Sequence, residues 1–248
     1  MIIDGKKISE KILKRLEEEI KEKQLKLKLA VVLVGDDSSS KIYVSKKEEA
    51  CHKIGIDFQL FKFSSEIKGA KLLEEVMDII KDDNISGLVV QLPLPEHINT
   101  DEILNSIPKE KDVESISPVV CAIKYILEEY DISLKNKKIA LIGRGRLVGI
   151  PVAKWLGEQD LKFSNNIGDA DIIISGAGKP GLLKKEMVKD GAVVIDVGGD
   201  VEEDVFEKAG YITPRIGGIG PITVACLLEN LIKKVTESLS AKSDSVTF

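Results

Sequence analysis

Lys137-Lys138-Ile139-Ala140-Leu141-Ile142-Gly143-Arg144-Gly145-Arg146-Leu147-Val148-Gly149 decides the fold. Four apolar residues, 139–142, run into a glycine turn, and an apolar-periodic segment follows over 148–156. The pattern predicts a strand, a tight turn and a helix start. Gly143 and Gly145 let backbone amides approach a pyrophosphate, and a helix N-terminus adds a favourable dipole. The glycines are spaced G-x-G-x-x-x-G rather than G-x-G-x-x-G, so this turn alone reads as loop chemistry before it reads as a cofactor site.

Its neighbours change that reading. An apolar run at 171–175 ends in Gly176-Ala177-Gly178-Lys179-Pro180-Gly181, and another at 192–197 ends in Gly198-Gly199. Three such runs put glycine turns along one edge of a parallel sheet, the edge where open α/β sheets bind ligands. The cofactor-facing candidates are Gly143, Arg144, Gly145, Arg146, Val148 and Gly149 in the first turn, Gly176, Ala177 and Gly178 in the second, and Val197 and Gly198 in the third.

The 248 residues suffice for two lobes with separate cores. Charges of both signs are mixed and the net is −5, which gives no electrostatic footprint for nucleic acid. No apolar stretch approaches the ~20 residues of a membrane span, and residues 1–5 lack the pattern of a signal peptide. Cys51, Cys121 and Cys226 are odd in number and widely spaced, as expected of reduced thiols in a cytoplasmic protein. His52 and His97 share no motif, so no metal site is expected.

Before residue 137 the pattern also alternates. Helices are expected over 8–26, 41–54, 70–81 and 100–106, and strands over 29–34, 58–63 and 87–91. Residues 38–40 read as a polar loop, and Asn99 or Thr100 caps the short helix. A helix over 118–130 joins the lobes, a final helix spans 224–240, and the tail after Ala241 is expected to fray. The fold class is α/β in two lobes: an N-terminal αβα catalytic lobe, residues 1–117 plus 226–248, and a Rossmann-like parallel-sheet nucleotide lobe, residues 118–225, with a cleft between them.

Tyr43 and Lys47 lie four apart on a predicted helix and share a face. A lysine so placed can polarise a carbonyl or act as general acid/base if its pKa is lowered. Taken alone, the pair also reads as a surface lysine beside a core tyrosine. Gln91 ends a buried strand before Leu92-Pro93-Leu94-Pro95, where it could bond a heterocycle or simply be a satisfied strand-end amide.

The ordered set narrows the choice. Ser40-x-x-Tyr43-Val44-x-x-Lys47 precedes Gln91-Leu92-Pro93-Leu94-Pro95 and Lys111-Asp112-Val113. After them come Gly143-Arg144-x-x-x-Val148-Gly149-x-Pro151, Gly178-Lys179-Pro180, Asp196-Val197-Gly198 and Thr213-Pro214-x-x-Gly217-Gly218-x-Gly220-Pro221-x-Thr223-Val224-Ala225. From residue 1 to about 234 this resembles the methylenetetrahydrofolate dehydrogenase/cyclohydrolase family.

The resemblance implies NADP-dependent oxidation of 5,10-methylenetetrahydrofolate to the methenyl form, then hydrolysis to 10-formyltetrahydrofolate, in one cleft between the lobes. Lys47, Tyr43 and Gln91 match the family's catalytic positions. Tyr43, Gln91, Leu92, Pro93, Asp112, Glu114, Gly218 and Pro221 are the implied substrate contacts. Ser164, Gly217 and Thr223 join the glycine turns as implied cofactor contacts. The implied partners are tetrahydrofolate derivatives and a second copy in a homodimer, with no metal, nucleic acid or membrane. NADP rather than NAD also follows from the residues: an acid ~20 positions after the turn grips the ribose of NAD, and residues 161–166, Leu-Lys-Phe-Ser-Asn-Asn, contain none. Arg144 matches a family arginine that reaches the 2′-phosphate.

The chain departs from the family pattern where Glu114-Ser115 replaces Asp-Gly, and it lacks the Pro-Cys-Thr-Pro segment before the linking helix. A hairpin after Gly199 is also missing. Because the Glu114 segment faces substrate by resemblance, two alternatives stay open: a dehydrogenase with weak or absent cyclohydrolase activity, and a silent NADP- or folate-binding protein.

Overall fold

The computed structural model describes residues 1–244, which divide into two compact units: residues 12–116 with the C-terminal helix from Leu227, and residues 1–11 with 117–226. Residues 1–11, which the pattern assigns to the first lobe, cluster instead with the second. The cause is local: Ile2 bridges Ile212 in parallel, and the Ile3 amide donates to the Ile212 carbonyl at 2.8 Å.

Helix α1 (Gly5–Glu22) leads to β1 (Lys28–Val34), α2 (Ser38–Lys53), β2 (Asp57–Phe63), α3 (Gly69–Lys81), β3 (Gly87–Val90) and α4 (Thr100–Asn105). The three strands form one parallel sheet in the order β2-β1-β3. Central β1 is buried on both faces, which explains its unbroken Leu-Ala-Val-Val-Leu-Val run. Helix α3 buries Leu72, Val76 and Ile79, spaced four and three apart, against this sheet. Each such side chain contributes about 1.5–3 kcal/mol when fully buried.

The serine run at 38–40 is the first turn of α2 rather than a loop. The Asp37 carboxylate caps it, accepting from the Ser40 amide at 2.7 Å, and that bond pulls the Asp37 pKa below the usual carboxylate range. Helix α1 starts earlier than its apolar stripe and stops by Glu22, with Gln24 turning at φ 51°. Asn99 is the cap of α4, accepting from the Glu102 amide.

In the other unit, α5 (Pro118–Glu129) starts with Ser117 as cap and Pro118 in its first turn, where a missing N–H costs nothing. There follow β4 (Ile139–Ile142), α6 (Gly149–Glu158), β5 (Phe163–Ser164), β6 (Ile172–Ser175), β7 (Val193–Asp196) and β8 (Tyr211–Ile212). They pair in parallel as β5-β4-β6-β7-β8. The order reverses at β4, which has β5 on one side and β6 on the other. A crevice opens at such a switch point, at the carboxyl ends of the strands. Helix α7 (Ile219–Asp244) begins five residues before the expected start at 224, because Gly220 and Pro221 fit its first turn. The expected frayed tail beyond Asp244 lies outside the described residues. Among those residues no helix is long and apolar enough to cross a membrane.

Candidate active site

The chemistry-bearing side chains of the 12–116 unit meet at a switch point of their own. Strand β1 is central, the helix that follows it is α2, and the strand beside it is β3. A residue on the inner face of α2 can therefore reach the end of β3, and Lys47 does. Its Nζ donates to Gln91 Oε1 at 2.8 Å, while Gln91 Nε2 donates to the Leu92 carbonyl at 2.8 Å. The second bond fixes which way the amide faces, so the oxygen is presented to the lysine. The strand ladder continues to the Gln91 amide, which donates to the Val32 carbonyl.

Lys47 is 7% exposed, and burial lowers its amine pKa from the ordinary lysine value. The charge of Glu114 works in the opposite direction, holding the amine up. Glu114 is itself pushed up, first by burial and then by Asp112, against the pull of Lys47. The Cys51 thiol is raised to about 12, chiefly by burial, so it stays neutral near physiological pH. A buried amine, an amide acceptor and a partly buried carboxyl thus form one coupled group.

Tyr43 lies one turn before Lys47 and is 46% exposed, so the shared face passes from solvent into the core along one helical turn. Leu92 is half-buried, and Ser40 Oγ reaches its carbonyl at 3.5 Å. Pro93 follows through a cis peptide bond and is exposed.

The Glu114 segment is tied down on three sides. Lys111 donates from Nζ to the Ile80 and Asp82 carbonyls at the end of α3, and its own carbonyl accepts from the Leu88 amide. Asp112 Oδ1 accepts from the Glu114 amide at 2.9 Å, so part of that carboxylate shapes its own loop. Asn230 Nδ2 on α7 donates to the Val113 and Ile116 carbonyls at 3.0 and 2.8 Å. Asn230, 4% exposed, was not read from sequence; the available signal was one amide side chain among Leu227, Leu228, Leu231 and Ile232. Gly87 makes room there, since a Cβ would fall 2.5 Å from Val113 and 2.6 Å from Leu231.

In the 117–226 unit the candidate residues are mostly backbone. Gly143 has φ 94°, and a Cβ there would stand 2.5 Å from the Gly176 carbonyl oxygen. A Cβ on Gly149 would stand 2.3 Å from the Gly143 oxygen, and one on Gly176 would strike Val148. The turns after β4 and β6 therefore interlock at the switch point. Val148 caps α6 without a side-chain bond, the Ile150 amide donates to the Gly145 carbonyl at 3.0 Å, and Pro151 has no N–H. Arg144, Gly145 and Arg146 are exposed. Ser164 ends β5 beside Ala140, exposed, with its Oγ accepting from the Asn166 amide.

Ala177 and Gly178 follow β6. Val197 and Gly198 follow β7, both amides donating to the Ser175 carbonyl at 2.7 and 3.2 Å. Gly217, Gly218, Pro221 and Thr223 lie beyond β8. Gly218 is buried against the start of α1, where a Cβ on Gly5 would be 1.6 Å from the Gly218 oxygen. Thr223 Oγ1 donates to the Gly220 carbonyl at 2.7 Å, a local use within α7.

Residues 3–114 match the tetrahydrofolate dehydrogenase/cyclohydrolase catalytic domain, and residues 117–239 match the tetrahydrofolate dehydrogenase/cyclohydrolase NAD(P)-binding domain. The bifunctional protein FolD of Hydrogenobaculum is 38% identical over 270 residues, spanning 94% of this chain and 97% of its own. That of Nautilia profundicola is 40% identical over 274 residues, spanning 94% and 96%. The crystal structure of FolD from Campylobacter jejuni matches with a TM-score of 0.88 at 35% identity, covering 96% of this chain and 99% of that one. The Trypanosoma brucei enzyme, solved in complex with NADP cofactor and inhibitor, matches with a TM-score of 0.91 at 28% identity, covering 96% and 98%.

Proposed function

The chain belongs to the tetrahydrofolate dehydrogenase/cyclohydrolase family, and on that premise we propose how its residues divide the work. The enzyme oxidises 5,10-methylenetetrahydrofolate with NADP and hydrolyses the methenyl product to 10-formyltetrahydrofolate, a step of one-carbon metabolism. The observation that carries this reading is the buried Lys47 amine held on the Gln91 carboxamide at 2.8 Å.

Lys47 supplies the proton chemistry. Burial brings its neutral form closer to physiological pH. One N–H points at Gln91 Oε1, which leaves the nitrogen lone pair for a water attacking the methenyl carbon. As the C–O bond forms, the water proton passes to Lys47. The new ammonium is stabilised by the Gln91 oxygen and the Glu114 charge. Collapse of the adduct breaks one ring C–N bond: the Lys47 ammonium returns its proton to the leaving nitrogen, the hydroxyl proton goes to solvent as its oxygen becomes the carbonyl, and the formyl group stays on the other nitrogen. Tyr43, exposed one turn away, offers its ring to the pterin, and Leu92, Pro93, Asp112 and Glu114 supply edge contacts.

The dinucleotide fits the residues present. Gly145 and Gly178 have open space where a side chain would be, so a ligand can approach the backbone there. The uncapped start of α6 at Val148 and Gly149 suits a pyrophosphate. When bound, NADP supplies the hydride acceptor for the methylene carbon. Arg144 and Arg146 stand past the end of β4 and Ser164 ends β5, the edge where a 2′-phosphate is read; Gly143, Gly176, Ala177, Val197 and Gly198 follow β4, β6 and β7 at the same sheet edge, while Gly217 and Thr223 lie around the start of α7. Residues 161–166 carry no acid, and Asp169 is engaged by Lys138 at 2.6 Å. This supports NADP over NAD. The protein works as a cytoplasmic homodimer, a reading that rests on the family.

A substrate-by-cofactor panel tests the assignment. Methylenetetrahydrofolate should be oxidised with NADP at least about tenfold more efficiently than with NAD. Methenyl absorbance should decay faster with enzyme than without it. Equal use of NAD overturns the cofactor assignment; accumulation of the methenyl form without catalysed decay overturns the cyclohydrolase assignment.

A further inference from the structure

Asp200 is a fully buried carboxylate, at 0% exposure, that the mechanism above does not use. All its side-chain bonds run to the strand end and turn after β6. Oδ2 accepts from Ser175 Oγ at 2.6 Å and from the Ala177 amide at 2.8 Å, and Oδ1 accepts from the Lys179 amide at 2.6 Å. Its own amide is bound in turn by Asp196 Oδ1 at 2.9 Å. Gly198 is small because the anchor passes beside it: a Cβ would lie 2.6 Å from Asp200 Oδ2 and 2.7 Å from the Gly178 amide nitrogen.

The Gly176 amide donates to the Ile142 carbonyl at 2.8 Å. The Ala177 and Lys179 amides are held by Asp200. The Gly178 nitrogen lies against Gly198, and Pro180 has no N–H. The Gly176, Ala177 and Lys179 donors are therefore turned into the fold. The Lys179 carbonyl accepts from the Leu182 amide at 3.1 Å and the Gly176 oxygen packs against Gly143, so the Ala177 and Gly178 carbonyls remain for a ligand, and Gly178 has open space where a side chain would be. A surface of acceptors backed by a carboxylate repels phosphate and suits groups that donate, such as hydroxyls and carboxamides. The turn after β4 differs: no side chain caps α6 at Val148, and Gly145 is exposed with open space where a side chain would be.

We propose that Asp200 is a positioning residue that turns the Ala177 and Lys179 amides inward, so that this loop reads the hydroxyl- and amide-bearing part of the dinucleotide and leaves the pyrophosphate to the 143–149 turn. The proposal rests on the dinucleotide reading of this sheet edge. It adds a residue that touches no ligand and acts through the backbone it holds.

The test is direct binding to the full-length protein, independent of turnover. NADPH affinity is measured by calorimetry on wild type, Asp200→Asn and Ser175→Ala, with inorganic pyrophosphate as competitor. Asp200→Asn places an N–H₂ against at least one donor of the turn, and NADPH affinity should fall about tenfold or more. Ser175→Ala removes one of three bonds and should cost about two- to threefold, which keeps the question answerable if the aspartate variant does not fold. Pyrophosphate affinity should stay within about twofold in both. Unchanged NADPH affinity overturns the proposal, and so does an equal loss for pyrophosphate and NADPH, because the loop would then serve the phosphates. A wild-type protein that binds no NADPH sinks the cofactor reading itself, and the proposal with it; NADPH binding that ignores Asp200 sinks the proposal alone.

Discussion

In the 12–116 unit the candidate chemistry sits on long side chains: the Lys47 amine from α2, the Gln91 amide past β3, and the Glu114 carboxyl from a loop clamped by Asn230. In the 117–226 unit it sits on backbone: glycine turns after β4 and β6 packed so closely that a single methyl group would collide. Both sets lie at the carboxyl edge of a parallel sheet, beside the strand where the order reverses. The fold supplies the same location twice, and the task selects the material. Moving a proton needs a titratable group whose environment sets its pKa, and only a side chain can be tuned that way. Holding a long phosphorylated dinucleotide needs a bare surface of peptide groups, which only small residues expose. The two regions should therefore fail differently when altered.

Replacing Lys47 is the largest expected break. Lys47→Met keeps the apolar stem and removes the base, so cyclohydrolase kcat should fall by about 10²–10⁴-fold, the usual worth of a positioned general base. NADPH affinity should be unchanged, because no cofactor-facing residue is touched. Methenyl decay in stopped-flow absorbance and NADPH calorimetry on the same sample check both halves. Hydrolysis that survives the substitution would remove Lys47 from its role.

Gly143→Ala reverses the pattern. The added Cβ stands 2.5 Å from the Gly176 oxygen at φ 94°, a conformation that side chains rarely adopt. The β4 and β6 turns must separate, and NADPH affinity should fall by about tenfold or more, with a stability loss of about 1–3 kcal/mol. Hydrolysis of added methenyltetrahydrofolate should continue near the wild-type rate. Equal losses of both functions would erase the division between side-chain and backbone sites. Denaturant melts and the two separate assays distinguish these outcomes.

What the sequence revealed follows the same division. Strands β1, β3, β4, β6 and β7 were legible because buried parallel strands are short apolar runs, here ended by glycine or by Gln91 and its prolines. Strands β5 and β8 are two residues each and carry no periodicity to read. The starts of α2 and α7 were misplaced because serine, glycine and proline signal loops, yet all are favourable in a helix's first turn. Lys47 and Gln91 stood out by residue type and context. The residues that hold sites in place did not. Asp200 acts on positions 21 to 25 residues away, and Asn230 on positions 114 and 117 away. A lone polar residue whose partners come from distant segments has no local pattern.

Glu114 gives the smallest expected effect and the finest probe of the side-chain region. Its charge raises the Lys47 amine while burial lowers it more. Glu114→Gln removes the raising influence and keeps the shape, so the Lys47 pKa should fall further. The other groups acting on the pair do not reverse this: the Cys51 thiol is neutral until about pH 12, and Asp112 raises Glu114 itself. If Lys47 is the base, cyclohydrolase kcat climbs with pH as the amine loses its proton. That rising limb should move to lower pH in the glutamine variant. A kcat–pH series on both proteins reads the shift. A limb that moves upward, or does not move, would mean that the carboxyl does not act on the amine, and that the Lys47–Gln91 bond alone sets its chemistry.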